Sequence, residues 1–232
     1  MRTVAQIVAA QLLLAAGLLV AGPGAGMAAG MGASFPDPPG VAPAAPAAKK
    51  MTVVLAGGCF WGMEGIYEHV KGVTETQVGY AGGAAKTAHY ERIEQGDTGH
   101  AESIKITYDP TKITYGQLLK VYFSVAHDPT TLNRQHNDIG TQYRSSIFFQ
   151  DAEQKKVAEE YIQALNAARV LSDPIVTKVV PLEAFYPAED YHQHFLDHNP
   201  DQGYIVNVDI PLQNKFRKAY PELWNPKSTG SK

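Results

Sequence analysis

The chain has 232 residues, 44% of them hydrophobic and 19% charged, which suits a soluble protein with one well-cored domain. A formal net charge of −3 and the lack of a strongly basic run disfavour non-specific binding to nucleic acid or anionic membrane. With a single cysteine, Cys59, no intramolecular disulfide can form, so the fold must rest on its core.

Residues 1–29 read as a secretory signal. Arg2 supplies a basic start, Leu12 to Ala21 an apolar centre, and Gly22, Ala25, Ala28 and Ala29 a small-residue exit, with cleavage after Ala25 or Ala29. The alternative is an uncleaved membrane anchor. Gln6, Gln11 and the many Gly and Ala residues weaken it, because a spanning helix needs about 20 strongly apolar residues. The expectation is an exported protein, periplasmic or secreted. Residues 30–50 are rich in Gly, Ala and Pro and read as a flexible linker. A catalytic domain is expected over 51–212, followed by a C-terminal tail, 213–232, that is polar at its end and loosely held.

Within the domain, strands and helices alternate. Thr52 to Ala56 suits a buried strand, broken by Gly57-Gly58. A helix is predicted from about Cys59 to Val70, with Met63, Ile66, Tyr67 and Val70 on one face and Gly72 past its end. Gly62 and Gly65 inside it each cost about 1 kcal/mol against Ala, which points to close backbone packing or a ligand's approach. Val73–Tyr80 and Ser103–Tyr108 read as strands. Thr114 and Gln117 form a capping box, with Ile113 and Leu118 as its hydrophobic staple, for a helix running to about Ala126. Tyr143–Gln150 is strand-like, Asp151 caps a helix to about Arg169, Ile175–Val180 is strand-like, and Ala188–His198 is predicted as a short helix. Residues 81–101 and 127–142 carry little regular pattern, as functional segments in compact domains often do. This order suits a two-layer α+β sandwich, a mixed sheet with helices packed on it.

Cys59 is either a small core residue or a reactive thiol at a helix start, where free N–H groups and the macrodipole would lower its pKa. The adjacent glycines leave space around its sulfur. Phe60 and Trp61 point about 100° apart on a helix, so one of them can line a pocket beside that sulfur. Glu102 is a solvated charge, or a general acid if an apolar pocket holds it. Asp138, Tyr143 and Arg144 lie in a turn-rich lead into a strand, and Tyr90 is unremarkable by itself. His192, His194 and His198 raise the question of a metal, but neither a cysteine partner nor a third ligand at a suitable spacing accompanies them, and no metal is expected.

Gly57-Gly58-Cys59-Phe60-Trp61-Gly62 resembles the active-site signature of the A-class peptide methionine sulfoxide reductases, the MsrA family. The resemblance runs through Gly79-Tyr80-Ala81-Gly82-Gly83, Gly96-Asp97-Thr98-Gly99-His100-Ala101-Glu102, Tyr108-Asp109-Pro110, His127-Asp128-Pro129, Gly140-Thr141-Gln142-Tyr143-Arg144-Ser145 and Ala188-Glu189-Asp190-Tyr191-His192-Gln193, covering about Met51 to Gly203. It implies a ferredoxin-like α+β sandwich and an oxidoreductase that needs no cofactor and turns the S epimer of methionine sulfoxide, free or in proteins, into methionine.

The resemblance also implies roles. Cys59 would be the nucleophile that becomes a sulfenic acid, Glu102 the acid that protonates the sulfoxide oxygen, and Tyr90 and Tyr143 the hydroxyls that hold it. Asp138 would support this polar cluster, and Phe60 and Trp61 would receive the methyl group. One departure stands out. Many members carry a resolving cysteine in a glycine-rich C-terminal tail, where this chain has Gly203-Tyr204-Ile205-Val206. An external reductant (a thioredoxin-like domain, a glutaredoxin or a small thiol) must then recycle Cys59, and a monomer is expected. Two rival functions are a thiol peroxidase using the same sulfenic acid, and a module that binds oxidised methionine without reducing it.

Overall fold

A computed structural model describes residues 35–38 and 49–230. The predicted signal segment lies outside these residues. The chain divides into Met1–Gly32, also outside them, and Ala33–Lys232, to which everything below belongs.

In chain order the elements are β1 (Met51–Ala56), α1 (Phe60–Tyr67), β2 (Val73–Ala81), α2 (Tyr90–Ile93), β3 (Ala101–Tyr108), α3 (Tyr115–Val121), β4 (Arg134–Gln135), β5 (Asp138–Ile139), β6 (Ser146–Phe149), α4 (Ala152–Ala168), β7 (Lys178–Pro181), β8 (Phe185–Pro187), α5 (Phe195–His198) and α6 (Ile210–Ala219). Six strands form one sheet in the order β7-β6-β1-β3-β2-β8. Only β6 and β7 run parallel; the other neighbours are antiparallel. Its centre, β6-β1-β3-β2, is the βαββαβ order of a ferredoxin-like sheet. β4 and β5 make a separate hairpin.

Alternation along the strands sends side chains to opposite faces. Val53 and Leu55 join Ile104, Ile106 and Ile147 in the main core, together with Met63, Ile66 and Tyr67 of α1, Leu118 and Leu119 of α3, and Val157 and Tyr161 of α4. Val54 and Ala56 face the other way, into a smaller cluster with Ala81, Ala101 and Phe148. With both faces of β1 covered, its run from Val53 to Ala56 is continuously buried.

Local signals hold where neighbours in sequence supply them. Thr114 Oγ1 accepts from Gln117 N at 3.1 Å and the Gln117 side chain accepts from Thr114 N at 2.9 Å, the reciprocal capping box that starts α3. Asp151 caps α4 by accepting from Gln154 N at 2.8 Å.

Tertiary contacts change other expectations. Ala188–His198 is not one helix. A 3-10 turn, Asp190–His192, gives way to His194 in the left-handed region (φ 54°), and α5 has only four residues. The His194 N–H is taken by Glu64 of α1 at 2.7 Å, so a contact across the fold replaces a helical one. The expected tail, 213–232, begins inside α6, whose Phe216 is fully buried. Trp224 then stacks on His69 at 4.3 Å, which holds this region against α1. Part of the expected linker is packed too. Phe35 lies against the main core, Tyr161 donates to the Pro36 carbonyl at 2.8 Å, and Lys120 pairs with Asp37 at 2.7 Å.

Candidate active site

β1 ends and α1 begins at Gly57-Gly58-Cys59. Gly58 has φ +92°, and a Cβ on it would meet the Gln135 side chain at 2.7 Å, so the turn that delivers Cys59 requires glycine. Gln135 is itself fixed, accepting from Asp128 N at 3.0 Å and donating to the Asp128 carbonyl at 2.6 Å. Cys59 is the N-cap residue of α1 and is half-buried.

Glu102, on β3, reaches the same helix start. Its carboxyl accepts from Phe60 N at 3.1 Å and is 3% exposed. Burial pushes its pKa up to about 8; the Phe60 N–H opposes the rise, and the Asp138 and Glu94 carboxylates add to it. At neutral pH Glu102 therefore holds its proton. Tyr90 opens α2, and Tyr143 closes a 3-10 turn, Thr141–Tyr143. Burial, then the charge on Glu102, raises both phenols, and both also feel Cys59. Asp138, on β5, accepts a short hydrogen bond from the Tyr204 hydroxyl. The structure thus gathers Cys59, Glu102, Tyr90, Tyr143 and Asp138, which lie up to 84 positions apart in sequence, around one helix start.

The two irregular segments are stitched to each other. Arg144 donates to the carbonyls of His100 at 2.8 Å, Thr141 at 2.9 Å and Gly99 at 2.8 Å. These bonds tie the strand start that carries Glu102 to the turn that carries Tyr143.

One expectation is overturned. The helix start does not lower the Cys59 thiol pKa, which is raised well above its ordinary value. Burial is the largest cause, the Glu102, Asp209 and Asp138 carboxylates add to it, and only the Trp61 N–H pulls the other way. Burial, with the neighbouring acids adding to it, outweighs one short helix's free N–H groups, so the resting sulfur is a thiol.

The aromatic pair divides its work. Phe60 is 1% exposed and packs with Val78, Tyr80 and Ile93 behind the site. Trp61 is half-buried and lies flat on Phe195, with ring centroids 3.8 Å apart. Its Nε1–H donates to His192 Nδ1 at 3.1 Å, which sets the His192 tautomer with the proton on Nε2. Burial lowers the His192 pKa, so the ring is neutral.

Several contributors escaped the sequence reading. Phe195, Tyr204 and Asp209 had no assigned role, and His192 was weighed only as a metal ligand. Tyr204 meets Trp61 edge-on at 6.2 Å. Asp209 Oδ1 lies 2.5 Å from where a Cβ on Gly62 would sit, which accounts for that glycine. Tyr204 and Asp209 come from a chain return about 145 residues after Cys59 in sequence, and nothing local to either announces it.

One group has metal-ligand proportions. The Glu64 and Glu68 carboxylates and the His194 ring offer ligand atoms within 4.8 Å of one another. Their oxygens already have protein partners: Glu64 accepts from His194 N at 2.7 Å and from Thr76 at 3.3 Å, and Glu68 accepts from Ser228 at 3.1 Å and is bonded to the His194 ring. Burial and the neighbouring Glu68 raise Glu64 to about 8. The group reads as buried carboxyls sharing protons with a histidine, and it braces α1 against the C-terminal segment.

Comparison with known proteins agrees with this geometry. The family model for peptide methionine sulfoxide reductase matches residues 51–223. A relative from Mesorhizobium japonicum, peptide methionine sulfoxide reductase MsrA 2, is 53% identical over 176 residues, covering 76% of this chain and 90% of the relative. Among solved structures, reduced Mxr1 from Saccharomyces cerevisiae superposes with a TM-score of 0.61 at 35% identity, covering 68% of this chain and 90% of that one. Methionine sulfoxide reductase A of Corynebacterium diphtheriae superposes with a TM-score of 0.57 at 37% identity, covering 65% and 76% respectively. A match over most of the chain, on a fold that brings the signature residues to one helix start, means that the chain belongs to the peptide methionine sulfoxide reductase family.

Proposed function

We propose that the protein reduces methionine S-sulfoxide, free or in oxidised proteins, to methionine, with Cys59 as nucleophile and Glu102 as proton donor. The observation that carries this reading is a protonated, 3% exposed Glu102 hung from Phe60 N, one residue past the cysteine. A sulfoxide oxygen leaves poorly until it is protonated, and a neutral carboxyl beside a nucleophilic sulfur meets that need. The Tyr90 and Tyr143 hydroxyls hold the oxygen, Asp138 steadies the polar side through Tyr204, and Trp61 backed by Phe60 receives the methyl group.

In the reaction, Cys59 Sγ attacks the sulfoxide sulfur while Glu102 protonates the oxygen. The oxygen leaves as water once the thiol proton has followed through Glu102. Water then attacks Sγ and breaks the bond between Sγ and the substrate sulfur, so that Cys59 becomes a sulfenic acid, methionine is released and the last proton returns to Glu102. With no second cysteine in the chain, an external thiol restores Cys59. A thioredoxin-like domain, a glutaredoxin or a small thiol would each serve.

The test is a single turnover of the prereduced protein with each sulfoxide epimer and no added thiol. About one equivalent of methionine from the S epimer alone, with Cys59 ending as sulfenic acid, is expected. No methionine from either epimer would defeat the reading, and rapid peroxide consumption would point to a thiol peroxidase.

We also infer export, on the strength of the basic start, apolar centre and small-residue exit of residues 1–29. Amino-terminal sequencing of protein from a cell envelope fraction should begin after Ala25 or Ala29. Recovery of the uncleaved chain from the cytoplasm alone would refute it.

A further inference from the structure

Asp209 closes a π-helical turn, Ile205–Asp209, just before α6. It is 1% exposed, yet its Oδ2 atom is buried without a hydrogen-bond partner. An unpartnered buried carboxyl costs stability and calls for an explanation. The carboxyl faces a small cavity, with free room for about one water, that also takes in Gly57, Gly58, Cys59, Gln135 and Tyr204. Phe60, Trp61, Tyr90, Glu102 and Tyr143 do not line it. The Cys59 sulfur thus lies between a sulfoxide side, where Glu102 holds its proton, and a second recess that ends at Asp209. Gly62 keeps that recess open, since a Cβ there would strike the carboxyl.

We propose that Asp209 accepts the proton of the external thiol that regenerates Cys59, relayed by the one water for which the recess has room. The inference rests on the sulfenic acid reading above. In the step, the Asp209 carboxylate takes the S–H proton of the incoming thiol through this water. The thiol sulfur attacks Cys59 Sγ, the Sγ–O bond breaks with its electron pair on oxygen, and Glu102 protonates the departing hydroxide. The products are a mixed disulfide and water; the incoming sulfur is oxidised and Cys59 reduced. The proton on Asp209 returns to Glu102 through solvent, and a second thiol releases the disulfide. The groups facing Asp209 are Cys59 on α1, Asp138 on β5, His136 of the hairpin turn and Tyr204, whose hydroxyl is committed to Asp138. Burial, then the charge on Asp138, raises the Asp209 carboxyl to about 7, which suits a group that must take up and return a proton near neutrality.

The experiment uses the full chain and separates the two half-reactions. Prereduced protein is turned over once with methionine S-sulfoxide, the methionine is counted, and loss of the sulfenic acid is then followed against pH with 2-mercaptoethanol or with the more acidic trifluoroethanethiol. Asp209→Asn should slow regeneration by 2-mercaptoethanol by about tenfold or more and remove its inflection near pH 7, while slowing methionine release much less. With the acidic thiol, which is far more ionised at the same pH, the defect should shrink. Asp209→Glu should recover part of the rate, which controls for folding. Equal slowing with both thiols, or an unchanged rate and pH profile in Asp209→Asn, would overturn the assignment. Absence of methionine from the unmodified chain would instead overturn the reductase reading beneath it.

Discussion

The Phe60 N–H donates to the Glu102 carboxyl at 3.1 Å, so the proton donor is suspended from the helix start that carries the nucleophile. The bond fixes where the acid sits relative to Cys59, and burial keeps it protonated to about pH 8. Glu102→Gln keeps the shape and can still accept from Phe60 N, but it has no acidic proton to give. Single-turnover methionine release should fall by about 10²-fold or more. In the unmodified protein the same rate should decline as pH rises through about 8, when Glu102 loses its proton. Full activity of the glutamine variant at neutral pH would remove Glu102 from the mechanism.

Cys59→Ser should abolish methionine release at every pH. The side chain sits on an N-cap position, where serine is well accommodated, so the melting midpoint should change little. Thermal denaturation beside the activity assay checks both halves. Residual turnover in this variant would mean that the nucleophile lies elsewhere.

The buried carboxyls make a statement about stability. Burial raises Glu102 and Glu64 to about 8 and Asp209 to about 7, against ordinary values of 4.5, 4.5 and 3.8. Over that interval the folded chain holds protons that the unfolded chain has released. Their contribution is complete below the ordinary values and is lost as pH climbs through the raised ones. His127 acts in the opposite sense. Burial lowers it from 6.5 to about 4, so it favours folding increasingly as pH rises between those values. Above 6.5 only the carboxyls remain, and the melting midpoint should fall from about pH 6.5 to about pH 9. Glu102→Gln should lessen that fall. A midpoint that rises across the interval would contradict the burial of these acids.

These carboxyls also mark the limit of what the sequence could tell. The capping box at Thr114 and the Asp151 cap were legible because donor and acceptor are three residues apart. The signature blocks pointed to Cys59, Glu102 and Tyr143, and the strand periods placed the strands of the central sheet along the chain, though not their order in it. The thiol's direction of shift was not legible. The helix argument is local, whereas Glu102, Asp138 and Asp209 arrive from 43, 79 and 150 residues along the chain. The break at His194 has the same origin, since Glu64 captures its N–H from another element. α6 did leave a trace, a proline at the start of a helical stretch, which its setting in a polar C-terminal segment obscured.

The stacking of Trp61 on Phe195, at 3.8 Å and 9° between planes, gives the last prediction. Trp61 Nε1–H is held by His192, so the indole is fixed at its edge by a hydrogen bond and on its face by Phe195. Phe195 is half-buried on the four-residue α5, outside the main core, so its loss should spare the fold. A stacked aromatic pair contributes about 0.5–1.5 kcal/mol beyond its buried area. Phe195→Ala should therefore loosen the methyl-receiving face and raise KM for a sulfoxide peptide by about three- to tenfold, with kcat changed less, because an apolar wall binds ground state and transition state alike. Phe195→Leu, which restores apolar contact without the stack, should fall between the two. Steady-state kinetics with a fixed excess of reductant, alongside melting curves, distinguish this from unfolding. An unchanged KM in a folded Phe195→Ala protein would show that Trp61 keeps its place without the stack, held by the His192 bond and its contacts with Phe60 and Tyr204.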